Sequence, residues 1–444
     1  MKKLSEFYSV IKNSTNSKSI EEIIWVILGQ GINVILSLII VKIISQMGPT
    51  EYGIYALILT VAAFLGLIYG SFQQGFIRYY YDYKREEKEE VFVNLFFKFL
   101  SISVIILLLV VLIFSLFSSS FTNDYSFIFF LIAGFMVITT KVSELFNSWF
   151  NILRKRKINT ILLSSEKGLI ILFFILLLIT QSLTLDNVII FIFISTLLFI
   201  IIKLITLKKL IFNKESLEKI QVNKLQKDMR KRVWIYATPF LIWAAAGWLQ
   251  LNGEKWIING ILTVKAVGIY AIMMLIVNAL VVIPSNIINE FATPIIFQNY
   301  ADLKNLENTK KGYLYIRIIL LLVFVLTVIS TIITYYFAED LIIIISSREY
   351  IKYWYLLPLL TFGTGLFYIG QTQTILGMAL DKPKKYLFPK LLIGGLSVIL
   401  NLIFIKAFGL NGVAYTILLI GFIYVIHITI VNRNIEDSFN KQIN

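Results

Sequence analysis

The sequence predicts an all-α integral membrane protein: about twelve transmembrane helices in two six-helix lobes, related by a pseudo-two-fold axis along the membrane normal. Three observations lead there. Of 444 residues, 58% are hydrophobic and 15% charged, with a mean hydropathy of +0.81; a soluble domain carries about 25% charged residues. Apolar stretches of roughly 20 residues, the length that crosses a bilayer as helix, recur along the whole chain. Short motifs of the first half return at equivalent places in the second.

The spans fall near 23–44, 55–77, 92–117, 127–150, 161–183, 187–207, 233–260, 267–290, 313–337, 353–380, 386–408 and 411–432. The first follows a polar tail with Lys2, Lys3, Lys12 and Lys18. It is too long for the apolar core of a signal peptide and lacks a small-residue cleavage site, so it reads as an uncleaved helix. The loops after spans 2, 4, 8 and 10 are basic, as is the connector from Lys203 to Arg232. The opposite side holds Lys255, Lys265, Arg348, Lys352 and Lys406. Because Lys and Arg concentrate in cytoplasmic loops, both termini are expected in the cytoplasm.

The connector divides the chain into an N-terminal lobe (1–207), a basic segment (208–232) and a C-terminal lobe (233–444). Within the connector, Leu217, Ile220, Leu225 and Met229 alternate with Lys and Arg, which suits either an amphipathic helix on an anionic leaflet or a solvated linker. Across it, Gly53-Ile54-Tyr55-Ala56 recurs as Gly268-Ile269-Tyr270-Ala271, each at the start of the second helix of its half. Arg154 to Lys157 aligns with Asp381 to Lys384, and Leu183 to Val188 with Phe408 to Val413. An even number of helices per half makes these parallel repeats, a plan that transporters use.

Composition also excludes. With no cysteine, disulfides, iron–sulfur clusters and thiolate metal sites are ruled out. The single histidine, His427, gives metal sites and catalytic triads almost nothing. No P-loop and no Asp-x-Asp occur, so no cofactor, metal or enzymatic activity is expected. The net charge of +15 is mostly topological, which removes the main support for a nucleic-acid partner. Gly29-Gln30-Gly31, Gly66 with Gly70, and Gly363-Thr364-Gly365 lie inside apolar spans and read as packing or kink glycines.

The informative residues are the polar ones inside spans, where a charge costs about 2.5–3.5 kcal/mol to insert. Lys42, Arg78, Lys98 and Arg317 lie near span ends and can snorkel. Span 4 carries Lys141 and Glu144 at i, i+3, with Thr140, Ser143, Asn147 and Ser148 beside them. Span 5 draws in Glu166 and Lys167. Span 10 aligns Gln371 with Glu144, and its Pro358, Gly363, Gly365 and Gly370 favour a bent or broken helix. Span 7 holds Gln250, Asn252, Glu254 and Lys255 in its outer part. Structural ion pairing explains each cluster about as well as a substrate does.

Ser45-Gln46-Met47-Gly48-Pro49-Thr50-Glu51-Tyr52-Gly53-Ile54-Tyr55-Ala56 resembles the Leu-Gly-Pro-x-Glu-Tyr-Gly-x-Tyr-Ala-Leu segment of bacterial polysaccharide (O-antigen, Wzx-type) flippases. These belong to the multidrug/oligosaccharidyl-lipid/polysaccharide exporter superfamily. Gln73 to Tyr79 is similar to that family's second-helix end, which carries Arg78 over. Glu254-Lys255-Trp256-Ile257-Ile258-Asn259-Gly260 is similar to its Asp-Arg-hydrophobic-Gly stretch. Where the family usually has an Arg before Leu-Gly-Pro, this chain has Ser45 and Gln46, with Lys42 one turn earlier.

The resemblance implies a multi-pass flippase of the bacterial cytoplasmic membrane. It would move an undecaprenyl-diphosphate-linked oligosaccharide, a repeat unit of O-antigen or capsule, to the outer leaflet by alternating access. Lys141, Lys255 and Lys167, then Arg78 and Lys42, are expected to meet the diphosphate, and Gln371, Gln250 and Asn252 the sugar. Glu144, Glu166 and Glu254 are expected to couple an ion or to pair. Membrane lipids, a polysaccharide polymerase and glycosyltransferases would be the partners. A cation-coupled multidrug exporter of the same superfamily is the alternative, followed by a membrane-embedded glycan polymerase.

Overall fold

The computed structural model describes residues 17–118, 125–211, 219–300 and 306–443. Among these residues there are helices and no strand. The long helices are α1 (Ser17–Ile44), α2 (Pro49–Arg85), α3 (Glu89–Ser118), α4 (Phe127–Ile152), α5 (Arg156–Ile179) and α6 (Leu185–Ile211). They continue as α7 (Lys219–Ile261), α8 (Val264–Tyr300), then α9 (Leu306–Tyr336), α10 (Leu356–Gln373), α11 (Leu387–Phe408) and α12 (Asn411–Ile443). Ten of the described helices are long and apolar enough to cross a membrane. The other two expected spans fall on α7, behind its basic start, and on α10, which has 18 residues and two glutamines.

The chain forms two compact units. The first joins Met1–Ile44 with Ile58–Ala244, and the second joins Ser45–Leu57 with Ala245–Asn444, so the division falls inside α2 and inside α7. The core of the first unit is aromatic, with Phe76, Tyr80, Phe92, Phe96, Phe146 and Trp149 all buried. Trp149 meets the rings of Tyr80 at 5.6 Å and Phe96 at 4.9 Å. In the second unit Ile296, Tyr300, Tyr386, Tyr424 and Ile428 form the core, and Phe367 stacks on Tyr424 at 4.7 Å.

The internal repeat has a structural counterpart. Helices α2 and α8 both run 37 residues, and each places its Gly-Ile-Tyr-Ala motif in the second turn. A Cβ on Gly53 would stand 2.1 Å from the Val264 carbonyl oxygen, and one on Gly268 1.9 Å from that of Pro49. The two copies of the motif therefore meet backbone to backbone, reciprocally, within the second unit. The aligned basic turns also match. Arg154 and Asp381 have φ of 57° and 55°. The next amide, of Lys155 or Lys382, donates to the carbonyl five residues back, Phe150 at 2.8 Å or Gly377 at 2.7 Å. Both are Schellman-type helix ends. One departure from symmetry is a π-turn at Asn278–Val282 in α8, where Ser330 of α9 donates to the Leu280 carbonyl at 3.1 Å.

Three expectations are sharpened or corrected. Of packing and kink, the two readings the sequence leaves open for the glycines of α10, the structure shows packing. A Cβ on Gly363 would stand 2.8 Å from the Leu418 backbone, on Gly365 2.1 Å from Thr327, and on Gly370 2.7 Å from Tyr424. The expected break in this span lies beyond the glycines: α10 stops at Gln373, and a short helix, Ile375–Ala379, follows. The backbone groups released there find partners: Asn432 donates to the Gln373 carbonyl at 2.8 Å, and the Gly377 amide donates to the Tyr386 hydroxyl at 2.9 Å. Such satisfaction is what lets a helix break at membrane depth. Tyr386→Phe leaves the Gly377 amide unpaired, and a loss of about 1–3 kcal/mol is expected in thermal unfolding.

Second, Gly70 faces open space and Gly66 faces Lys141, so this pair does not join two helices. Third, the connector does not lay its apolar side on lipid. Its described parts are the end of α6 and the start of α7, and in the latter Met229 is buried and Leu225 packs against the first unit's core. Leu217 and the Ile220 side chain lie outside the described residues.

Candidate functional site

The intramembrane charges sort into separate clusters. In the first unit, α4 presents Lys141 and Glu144 on one side of the helix, and their side chains pair at 2.7 Å. Lys141 is 14% exposed and Glu144 58%, so the pair is open on its carboxylate side. Gly66 of α2 leaves room for the lysine stem, which lies 3.4 Å from where a Cβ would stand. Lys141 is 14 residues into α4, close to its middle.

Behind this pair is a sealed one. Glu166 of α5 binds Lys203 of α6 at 2.5 Å, and the two side chains are 7% and 0% exposed. Ser143 of α4 donates to Glu166 at 2.9 Å and accepts from Lys203 at 2.6 Å. Three helices are thus tied by one ion pair and one hydroxyl. By sequence Lys203 opens the basic connector; in the structure it is buried inside α6, because Leu204, Ile205 and Leu207 prolong the apolar span past it. Lys167 turns away from both pairs. Its ammonium donates to the Asn33 carbonyl at 3.0 Å and the Ser37 hydroxyl at 2.7 Å, joining α5 to α1.

In the second unit, Glu254 of α7 is buried and accepts from the Tyr270 hydroxyl of α8. That tyrosine is the third residue of the repeated motif, a signal readable in the sequence only by knowing that the motif lies beside α7. The adjacent Lys255 makes a single long hydrogen bond, to Asn252 at 3.4 Å, and has no carboxylate partner among the described residues. It is half-buried, two turns from the end of α7. The Gln250 side chain lies outside the described residues. Gln371 accepts from Tyr424 of α12 at 3.1 Å. Where the α4–α6 seam of the first unit is charged, the equivalent α10–α12 seam is neutral, with Gln373 and Thr429 paired at 3.1 Å.

Arg78 pairs with Asp82 at 3.2 Å on an exposed stretch of α2 and joins neither cluster. Lys42 occupies the last turn of α1, half-buried. No group of three or more His, Asp or Glu that could hold a metal occurs among the described residues.

Residues 19–300 match the family described as Polysaccharide biosynthesis protein, and the chain belongs to that family. No curated protein matches. Among solved structures, an inward-facing multidrug resistance MATE transporter of the MOP superfamily is similar with a TM-score of 0.65 and 15% identity. The match covers 92% of this chain and 96% of that one. The lipid II flippase MurJ, inward closed, gives 0.64 at 14% identity over 94% and 88% of the two chains. A MOP superfamily transporter from Pyrococcus furiosus gives 0.61 at 14% identity over 93% and 94%. The fold is therefore that of MOP-superfamily transporters, and the chain is a multi-pass membrane protein of polysaccharide biosynthesis.

Proposed function

We propose that the protein is a flippase moving an undecaprenyl-diphosphate-linked oligosaccharide from the inner to the outer leaflet of the cytoplasmic membrane, with both termini cytoplasmic. The observation that carries this reading is Lys255. A half-buried cation inside a membrane helix costs free energy unless its donors find partners; the adjacent Glu254 accepts from Tyr270, and the Lys255 ammonium makes one long hydrogen bond, to Asn252. A diphosphate supplies acceptors for the donors that remain. Lys141 supports the same reading, since a passing anion can displace the exposed Glu144 from it. Lys167, Glu166 and Glu254 act in pairing rather than transport. An inside-negative membrane pushes an anion outward with about 2.3 kcal/mol per charge per 100 mV, so no nucleotide is needed to drive the step.

In the cells that make this protein, deletion, Lys255→Ala and Lys141→Ala are each expected to lower surface polysaccharide at least tenfold, the two variants at normal protein levels and with lipid-linked repeat units accumulating inside. Lys255→Arg is expected to restore export. Undiminished glycan in both Ala variants overturns the site assignment. Unchanged glycan on deletion, with lost dye efflux, overturns the flippase in favour of a drug exporter.

A further inference from the structure

The first unit contains a second basic feature that the transport reading does not use. Helices α2, α3 and the start of α7 enclose a cavity of about 340 Å³, within the range of small-ligand sites. Each helix gives it one face. Phe72 comes from α2, Lys98 and Phe99 from α3 one residue apart, and Lys227, Arg230 and Trp234 from α7 at i, i+3 and i+7. The floor is aromatic: Phe72 meets Phe99 at 4.8 Å and Trp234 at 5.0 Å. The rim is cationic. Lys98, Lys227 and Arg230 are exposed, and none is paired with a carboxylate among the described residues.

The length of α7 fixes the depth of this cavity. At 1.5 Å per residue, its 43 residues span far more than the ~30 Å hydrocarbon core. Counting back about 20 residues from Ile261 puts the start of the core a turn or two past Trp234. Trp234 then sits at the headgroup level, where tryptophans concentrate, with Arg230 and Lys227 on its polar side. One turn further along α3 lies another cavity of about 320 Å³, lined only by apolar side chains, among them Ile105, Leu109 and Phe135.

We propose that this cavity is a binding site for one anionic phospholipid of the leaflet at which α7 begins. Its phosphate meets Lys98, Lys227 and Arg230, its glycerol backbone lies over Phe72, Phe99 and Trp234, and an acyl chain follows α3 toward the apolar cavity. Unpaired cations above an aromatic floor fit an anion joined to an apolar body; a free phosphate lacks the apolar body, and a zwitterionic lipid brings its own ammonium to the cationic rim. Under the orientation proposed above, this is the cytoplasmic leaflet.

Native mass spectrometry of the full-length chain, offered dioleoyl phosphatidylglycerol or dioleoyl phosphatidylcholine in detergent, tests the site without any transport assay. At least a tenfold preference for phosphatidylglycerol at one lipid per chain is expected. Lys98→Gln/Lys227→Gln/Arg230→Gln should erase that preference, and Lys98→Arg/Lys227→Arg/Arg230→Lys should keep it. The three side chains are exposed, so both variants should retain the wild-type unfolding midpoint. Equal retention of the two lipids, or a preference that survives in the glutamine variant, overturns the proposal. So does displacement of phosphatidylglycerol by undecaprenyl diphosphate, which would put the cavity on the substrate's path.

Discussion

Lys203→Met is expected to be among the most damaging single substitutions in this chain, although no part of Lys203 reaches solvent or substrate. It leaves the Glu166 carboxylate buried with only Ser143 for a partner. Breaking a buried ion pair in this way costs about 3–5 kcal/mol, which thermal unfolding in detergent will register as a large drop in midpoint. Glu166→Leu alone should do similar harm from the other side. The double variant Lys203→Leu/Glu166→Leu is expected to recover most of the loss, because apolar replacement of a sealed pair is often neutral. It should also still flip substrate. A stable double variant that has lost flipping would overturn the pairing role and make Glu166 an ion-coupling carboxylate.

Gly268→Ala has the second large effect. The new Cβ would meet the Pro49 carbonyl oxygen, a backbone atom that cannot rotate away, so the first turns of α2 and α8 must separate. Overpacking of this kind costs about 1–3 kcal/mol, measurable as a lower unfolding midpoint. Gly53→Ala should cost a similar amount through the Val264 carbonyl. Since either methyl parts the same two helices, Gly53→Ala/Gly268→Ala should fall short of the sum, as neighbouring sites do. Full additivity would show that the two glycines do not share one contact.

The helix count, the repeat and the basic turns were legible because each leaves a local mark: an apolar run of fixed length, a four-residue match, or a cluster of Lys and Arg. Lys141 and Glu144 were legible for the same reason, being one turn apart on one helix. Partners of distant residues were not. Nothing near Glu166 in sequence points to Lys203, 37 residues on, and nothing near Lys167 points to Asn33 and Ser37. Glu254 and Lys255 look like one ion pair in sequence, yet adjacent residues point about 100° apart on a helix, and tertiary packing gave the carboxylate to Tyr270. The glycines of α10 stayed open between packing and kink because composition alone does not separate a glycine that bends a helix from one that admits a neighbour.

The π-turn in α8 bears on how far the two halves can be compared residue by residue. It spends one more residue on a turn than α2 does over the matching stretch. Up to Val277 the two helices keep the same phase, so Gly53 and Gly268, or Tyr55 and Tyr270, are true equivalents. Past Val282 the wheel of α8 lags by about 100°. Positions matched by counting from the shared motif therefore face different sides of the two helices from there on.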